Sequence, residues 1–202
     1  MKGMLRMNHR GKFDNARYEE IKQEVLYMFE ETETDRFPIN CFEIARKLCY
    51  TLVPYSKLNV FLRKLAFRRS EDGYSKVELD SDSGMYHYVI YYNDLIPCNG
   101  RIRWSIFHEI GHIVLGHHDN QAGNEQTEED EANFFAKYAM CPPPLLNAAG
   151  CKCPEDVLLQ FDTSEEFSNY AFDYFVNWRD KGPKNYLPYE LQMLRQFHFN
   201  AA

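Results

Sequence analysis

From Asn15 to about Glu31, apolar residues fall at Tyr18, Ile21, Val25 and Met28/Phe29, a spacing that predicts a helix with Asp14 as its N-cap. Asn40 is placed to cap a second helix whose inner face carries Ile44, Ala45 and Leu48. Thr51-Leu52-Val53 is short and β-prone and ends at Pro54; Leu58, Phe61, Leu62, Leu65 and Ala66 then restore the helical stripe. Residues 73–80 and 85–92 predict two strands joined by the turn-forming Ser81-Asp82-Ser83-Gly84. Past Pro97, the apolar run 102–115 predicts a largely buried helix beginning near Arg101. Residues 117–124 are polar and read as a loop, Thr127 starts a helix that runs to Met140, and Pro142-Pro143-Pro144 stops it. Two more helices are predicted over 164–178 and 188–198. The pattern predicts an α+β chain: residues 14–150 form one domain with a small mixed sheet packed on helices, and residues 151–202 form a helical extension packed on it.

Charge narrows the function classes. The formal net charge of −7 gives no basic field for phosphate contacts, which argues against direct nucleic-acid binding. No apolar run approaches the ~20 residues of a membrane span, and the N-terminus has no continuous apolar stretch of a secretory signal, so a cytoplasmic, soluble protein is expected. The six cysteines are then expected as reduced thiols. Cys151-x-Cys153 lacks both the C-x2-C spacing and a matching second half for a metal site.

The apolar run at 102–115 also carries chemistry. His108-Glu109-Ile110-Gly111-His112 reads H-E-x-x-H, and in a helix His108 and His112 lie one turn apart on nearly the same face. Two imidazoles so placed can grip one Zn2+ ion, with Glu109 as general base on its water. Embedded among Ile106, Phe107, Ile110, Ile113 and Val114, these polar groups need partners, and one metal ion would satisfy all three.

A catalytic zinc site needs a third protein ligand, and two residues compete. His118 completes H-E-x-x-H-x5-H, but Leu115 stands where the metzincins need a glycine; were the helix to continue, His118 would lie ~9 Å beyond His112 along the axis. Glu131 sits on the following helix beside Phe134, Phe135 and Tyr138, which draw that face inward. Glu128 and Glu129 read as a solvated acidic first turn favoured by the helix dipole, a reading that periodicity leaves open for Glu131.

The two blocks His108–His112 and Glu131-Ala132-Asn133-Phe134-Phe135-Ala136 resemble the ImmA/IrrE-type metallopeptidases, with their H-E-[IL]-[AG]-H motif and E-A-N-x-F-A helix. Less specific likenesses lie at Tyr88 to Asn93, Met140-Cys141-Pro142 and Phe161-Asp162-Thr163-Ser164. Thr163 and the aromatic helix with Phe167, Tyr170, Tyr174, Phe175 and Trp178 depart from the family pattern. The resemblance implies a zincin-like fold, a Zn2+ ion on His108, His112 and Glu131, and Glu109 as the catalytic base. It also implies a protein substrate, a helix-turn-helix repressor of phage, mobile-element or stress genes. The sheet edge could align an extended peptide beside the metal. His87, Tyr91, Tyr92 and His118 are candidate donors for the oxyanion. The competing readings are a non-proteolytic regulator that uses the same scaffold to bind a repressor or a stress-response factor, and a DNA-binding protein, which the acidic balance disfavours.

Overall fold

The structure, a computed structural model, describes residues 14–80, 84–119 and 124–199. The chain opens with α1 (Asn15–Glu31), capped by the Asp14 carboxylate on the Arg17 amide, and α2 (Cys41–Lys47), whose cap Asn40 accepts from Phe42 and Glu43. After β1 (Thr51–Pro54) and a 3-10 turn comes α3 (Val60–Arg69), then β2 (Gly73–Leu79) and β3 (Tyr86–Tyr92). Next come α4 (Asn99–Val114), α5 (Glu125–Met140), α6 (Pro143–Ala148), α7 (Pro154–Phe161), α8 (Glu165–Lys181) and α9 (Pro188–Gln196). The class is α+β, as the pattern predicts. Of the turn expected at residues 81–84, only Gly84 lies within the described residues.

Several boundaries differ from expectation for local reasons. Helix α5 starts before Thr127, because the Asn124 side chain accepts from the amides of Gln126 and Thr127 and takes the capping role. The Pro142-Pro143-Pro144 run ends α5 but also starts α6, since proline lacks only an amide that the first helical turn would leave unpaired. Helix α7 begins the same way at Pro154. Neither short helix was anticipated, although Val157 and Phe161 of α7 recur at helical spacing and are buried.

The sheet has the order β1-β3-β2. Strand β1 runs parallel to β3, Leu52 opposite Ile90, and β2 runs antiparallel to it, Ser75 opposite Ile90. The mixed pairing follows from connectivity. A hairpin joins β2 to β3, whereas β1 reaches β3 only after α3 and β2. Strand β2 is therefore an edge, with its outer side unpaired among the described residues.

One continuous apolar core runs from Ile21 of α1, through Ile106, Phe107 and Ile110 of α4 and Phe135 of α5, to Phe175 of α8 and Leu194 of α9. It is rich in aromatic contacts, in a chain with 15 Phe and 14 Tyr: Tyr18 meets Phe134 edge-on with centroids 4.7 Å apart, and Phe37 stacks on Phe161 at 4.6 Å. Helix α4 lies at its centre. Buried Arg103 pins α4 by donating to the carbonyls of Ile39, Phe161 and Asp162 and to the Asp162 carboxylate. All six cysteines are free thiols, and among the described residues no helix is long and apolar enough to cross a membrane.

Candidate metal centre

Gly111 sets how closely α5 can approach α4. A Cβ built on Gly111 would lie 3.0 Å from the Phe135 ring and 3.1 Å from Phe135 Cβ, closer than side chains normally pack. The smallest residue of the motif thus lets the two helices touch, and the first turns of α5 come to lie across the histidine pair.

His108 and His112 do share a face, with Nε2 atoms 3.1 Å apart. The carboxylate between them is Glu129: Oε2 lies 3.4 Å from His108 Nε2, and Oε1 lies 3.4 Å from His112 Nε2. Each nitrogen faces a different oxygen of that carboxylate, at separations close to those within a metal's coordination shell. Zinc–nitrogen bonds of ~2.0–2.1 Å in a tetrahedron set neighbouring ligand atoms ~3.3 Å apart. Two imidazoles and a carboxylate suit zinc, a borderline-soft ion, among the first-row divalent metals. Among the described residues, His108, His112 and Glu129 form the group of three able to hold a metal ion. The bonds to His108 and His112 hold the Glu129 carboxyl far below the usual carboxylate range. Burial works against a charge on His108, but Glu129 and Glu109 outweigh it, and its pKa ends above the ordinary value.

Glu131 lies elsewhere. Two residues further along α5, it is turned by ~200° from Glu129, away from the pair. Arg17 of α1 donates to both its oxygens, from Nε at 2.8 Å and from Nη2 at 2.6 Å, and His117 Nε2 sits 3.1 Å from its Oε2. Burial raises the Glu131 pKa, but the bonds from Arg17 and His117 bring it below normal. The expectation that Glu129 is merely a solvated first-turn acid is corrected: it is half-exposed, but it faces the two histidines.

His118 does not join the pair either. Helix α4 ends in a Schellman motif: the Gly116 amide bonds to the Ile113 carbonyl, and the His117 amide bonds to the His112 carbonyl. Gly116 takes φ +74°, the left-handed conformation that closes this turn. The reversal carries His117 back alongside His112, with Nδ1 atoms 2.9 Å apart, and leaves His118 on the rim with Nε2 2.9 Å from Ser75 Oγ. Burial holds the pKa values of both His117 and His118 below the ordinary one.

Glu109 is buried at 7% exposure and accepts a 2.6 Å hydrogen bond at Oε2 from Ser75 Oγ on β2. A cleft of about 720 Å³ opens over this group, bounded by β2 at Gly73–Ser75, by α4, by Glu129 and Asn133 of α5, and by Phe167 of α8. Of the four suggested oxyanion donors, His118 alone borders the cleft. Tyr91 instead donates to Glu78 and stacks on Tyr74, while Tyr92 packs against Phe42.

Sequence reasoning missed Ser75 and His117 as well as Glu129. A signal existed for Ser75, since strand alternation sets it on the same face of β2 as buried Gly73. For His117 the signal was the glycine before it, a helix-ending residue whose successor folds back onto the last turn.

Compared with known families, residues 60–150 match the Peptidase_M78 family, described as an IrrE N-terminal-like domain. The match spans α3 to α6 and includes both motif blocks. No curated protein matches the chain.

Proposed function

We propose, on the premise that residues 60–150 belong to the Peptidase_M78 family as an IrrE N-terminal-like domain, that this protein is a zinc-dependent endopeptidase with a zincin-like site. The observation that carries the reading is the geometry at the cleft floor: two imidazole nitrogens and a carboxylate at metal-ligand separations, beside a buried glutamate that is not one of them. His108, His112 and Glu129 would hold the ion. Glu129 takes the place that motif resemblance gave to Glu131, because both Glu131 oxygens are already bonded.

When bound, zinc supplies Lewis-acid polarisation of a carbonyl and makes water acidic enough to ionise near neutral pH. The chain supplies the rest. Ser75 holds Glu109 Oε2, so Oε1 is the oxygen we assign to receive the water proton; Glu109 then hands that proton to the leaving amine. An extended substrate would pair with the free edge of β2, whose first residues form one wall of the cleft. His118 borders that wall, and its one N–H goes to Ser75 Oγ, whose own proton goes to Glu109.

The substrate class we infer is a helix-turn-helix repressor in the cytoplasm, cleaved to release phage, mobile-element or stress genes. The test is incubation of the zinc-loaded protein with the repressor encoded beside its gene. Discrete cleavage that stops on chelation is the expected result. A stable complex without cleavage would favour the non-proteolytic regulator instead, and a shift of DNA alone would favour the third reading.

A further inference from the structure

We propose that Glu131 is a positioning residue which, through His117, fixes the tautomer and orientation of the His112 imidazole. The inference rests on His108, His112 and Glu129 being the metal-holding set, and it assigns a role to three residues, Arg17, His117 and Glu131, that this set leaves unused.

The argument follows the protons. A neutral imidazole carries one N–H and one acceptor nitrogen, so the 2.9 Å contact between His112 Nδ1 and His117 Nδ1 needs a proton on one side only. A His112 that offers the Nε2 lone pair to a metal keeps its proton on Nδ1 and donates it to His117 Nδ1. The His117 proton must then sit on Nε2, where Glu131 Oε2 accepts it at 3.1 Å. Glu131 as a carboxylate only accepts, and Arg17 donates to both of its oxygens, at 2.8 and 2.6 Å. Donation therefore runs one way, from the imidazole to the carboxylate, with no atom mismatched. The reverse assignment fails at both ends. It would face a His117 lone pair against a carboxylate oxygen at 3.1 Å, and it would leave His112 Nε2 protonated, with no lone pair to offer a metal.

Burial strengthens the device. The His117 and Glu131 side chains are 7% and 10% exposed, so water competes little for these bonds. The backbone cooperates, because the His117 amide is already bonded to the His112 carbonyl and the ring needs no further loop ordering. His108 has no such support: its Nδ1 is buried without a hydrogen-bond partner. The order is thus imposed on one ligand of the pair, and it is imposed from α1, an element outside the matched segment.

The test measures zinc affinity by competition with a chromophoric chelator, on the full chain, for Glu131→Gln, His117→Ala, their double variant and Glu129→Ala. Removing an outer partner of a metal ligand weakens binding by roughly 10–100-fold. We expect Glu131→Gln and His117→Ala each to fall in that range, the double variant to lose no more than His117→Ala alone, and Glu129→Ala to lose more than any of them. In the wild type, two-bond 15N–1H spectra should show His112 protonated at Nδ1 and His117 at Nε2. Wild-type affinity in both single variants, additive losses in the double, or the opposite tautomers would each overturn the proposal. So would near-total loss in Glu131→Gln with His117→Ala unaffected, which would make Glu131 a ligand. If His117→Ala does not fold, the spectra and the isosteric Glu131→Gln still decide. A wild type that binds no zinc sinks the underlying site instead, a result distinct from all of these.

Discussion

Ser75 Oγ donates a 2.6 Å hydrogen bond to Glu109 Oε2, joining the buried edge-strand face to the glutamate of the H-E-x-x-H helix. The bond leaves the carboxylate one defined orientation in a site where its charge has few other partners. A hydrogen bond to a charged group contributes ~1.5–3 kcal/mol. We expect Ser75→Ala to lower kcat for the cleaved substrate by roughly 10–100-fold with zinc content unchanged. A variant that cleaves at the wild-type rate removes Ser75 from the mechanism.

Glu109→Gln separates binding from chemistry more sharply. The amide keeps the shape and accepts from Ser75 but cannot take a proton. Zinc stoichiometry by elemental analysis should stay at the wild-type value, while hydrolysis drops by about 10²–10⁴-fold. Cleavage at an undiminished rate would falsify the general-base assignment.

Metal removal should register in stability. A ligand at 100 times its Kd adds about 2.7 kcal/mol to the folded state, and at this chain length each kcal/mol moves Tm by ~2–4 °C. Chelation is therefore expected to lower Tm by roughly 5–10 °C, and added zinc to restore it. Glu129→Ala should melt at one temperature with or without zinc. A full zinc response in that variant would exclude Glu129 as a ligand.

Lys137 gives a pH prediction away from the site. Its amine is buried at 2% exposure between α5 and α8, 3.3 Å from the Tyr170 hydroxyl and 3.8 Å from the Tyr174 ring centre. Burial, helped by nearby Lys22, lowers its pKa from the ordinary 10.5 to about 7. Between these values the unfolded chain binds the proton and the folded one does not, so this group makes stability rise with pH across that window. Below about pH 7 both states hold the charge and the folded state bears the full burial cost. Urea unfolding from pH 6.5 to 9.5 should show this slope, and Lys137→Met should flatten it and be the more stable protein at pH 7. An identical slope in both proteins refutes the prediction.

What the sequence revealed, and what it hid, follows from which residues face one way. The α4 spacing needed only local geometry, and His108 and His112 meet as their four-residue separation requires. Which carboxylate of α5 turns toward that pair had no such guide. From Glu131 to Met140 every residue of α5 except Asn133 is buried, so no polar face marks its rotation. The register was instead fixed by contacts distant in sequence, Phe135 against Gly111 and Glu131 against Arg17, 114 positions away. The parallel pairing of β1 with β3 was hidden for the same reason, whereas the β2–β3 hairpin, being local, was legible.

The Arg17–Glu131 pair changes what counts as the smallest working piece of this protein. An excised fragment cut to residues 60–150 would carry both histidines, Glu109 and Glu129, and every motif letter would survive. It would also strand a buried carboxylate without its cation and expose the apolar side of α5 that α1 covers. The matched segment is therefore expected to depend on the N-terminal helix, where none of the motif letters lies.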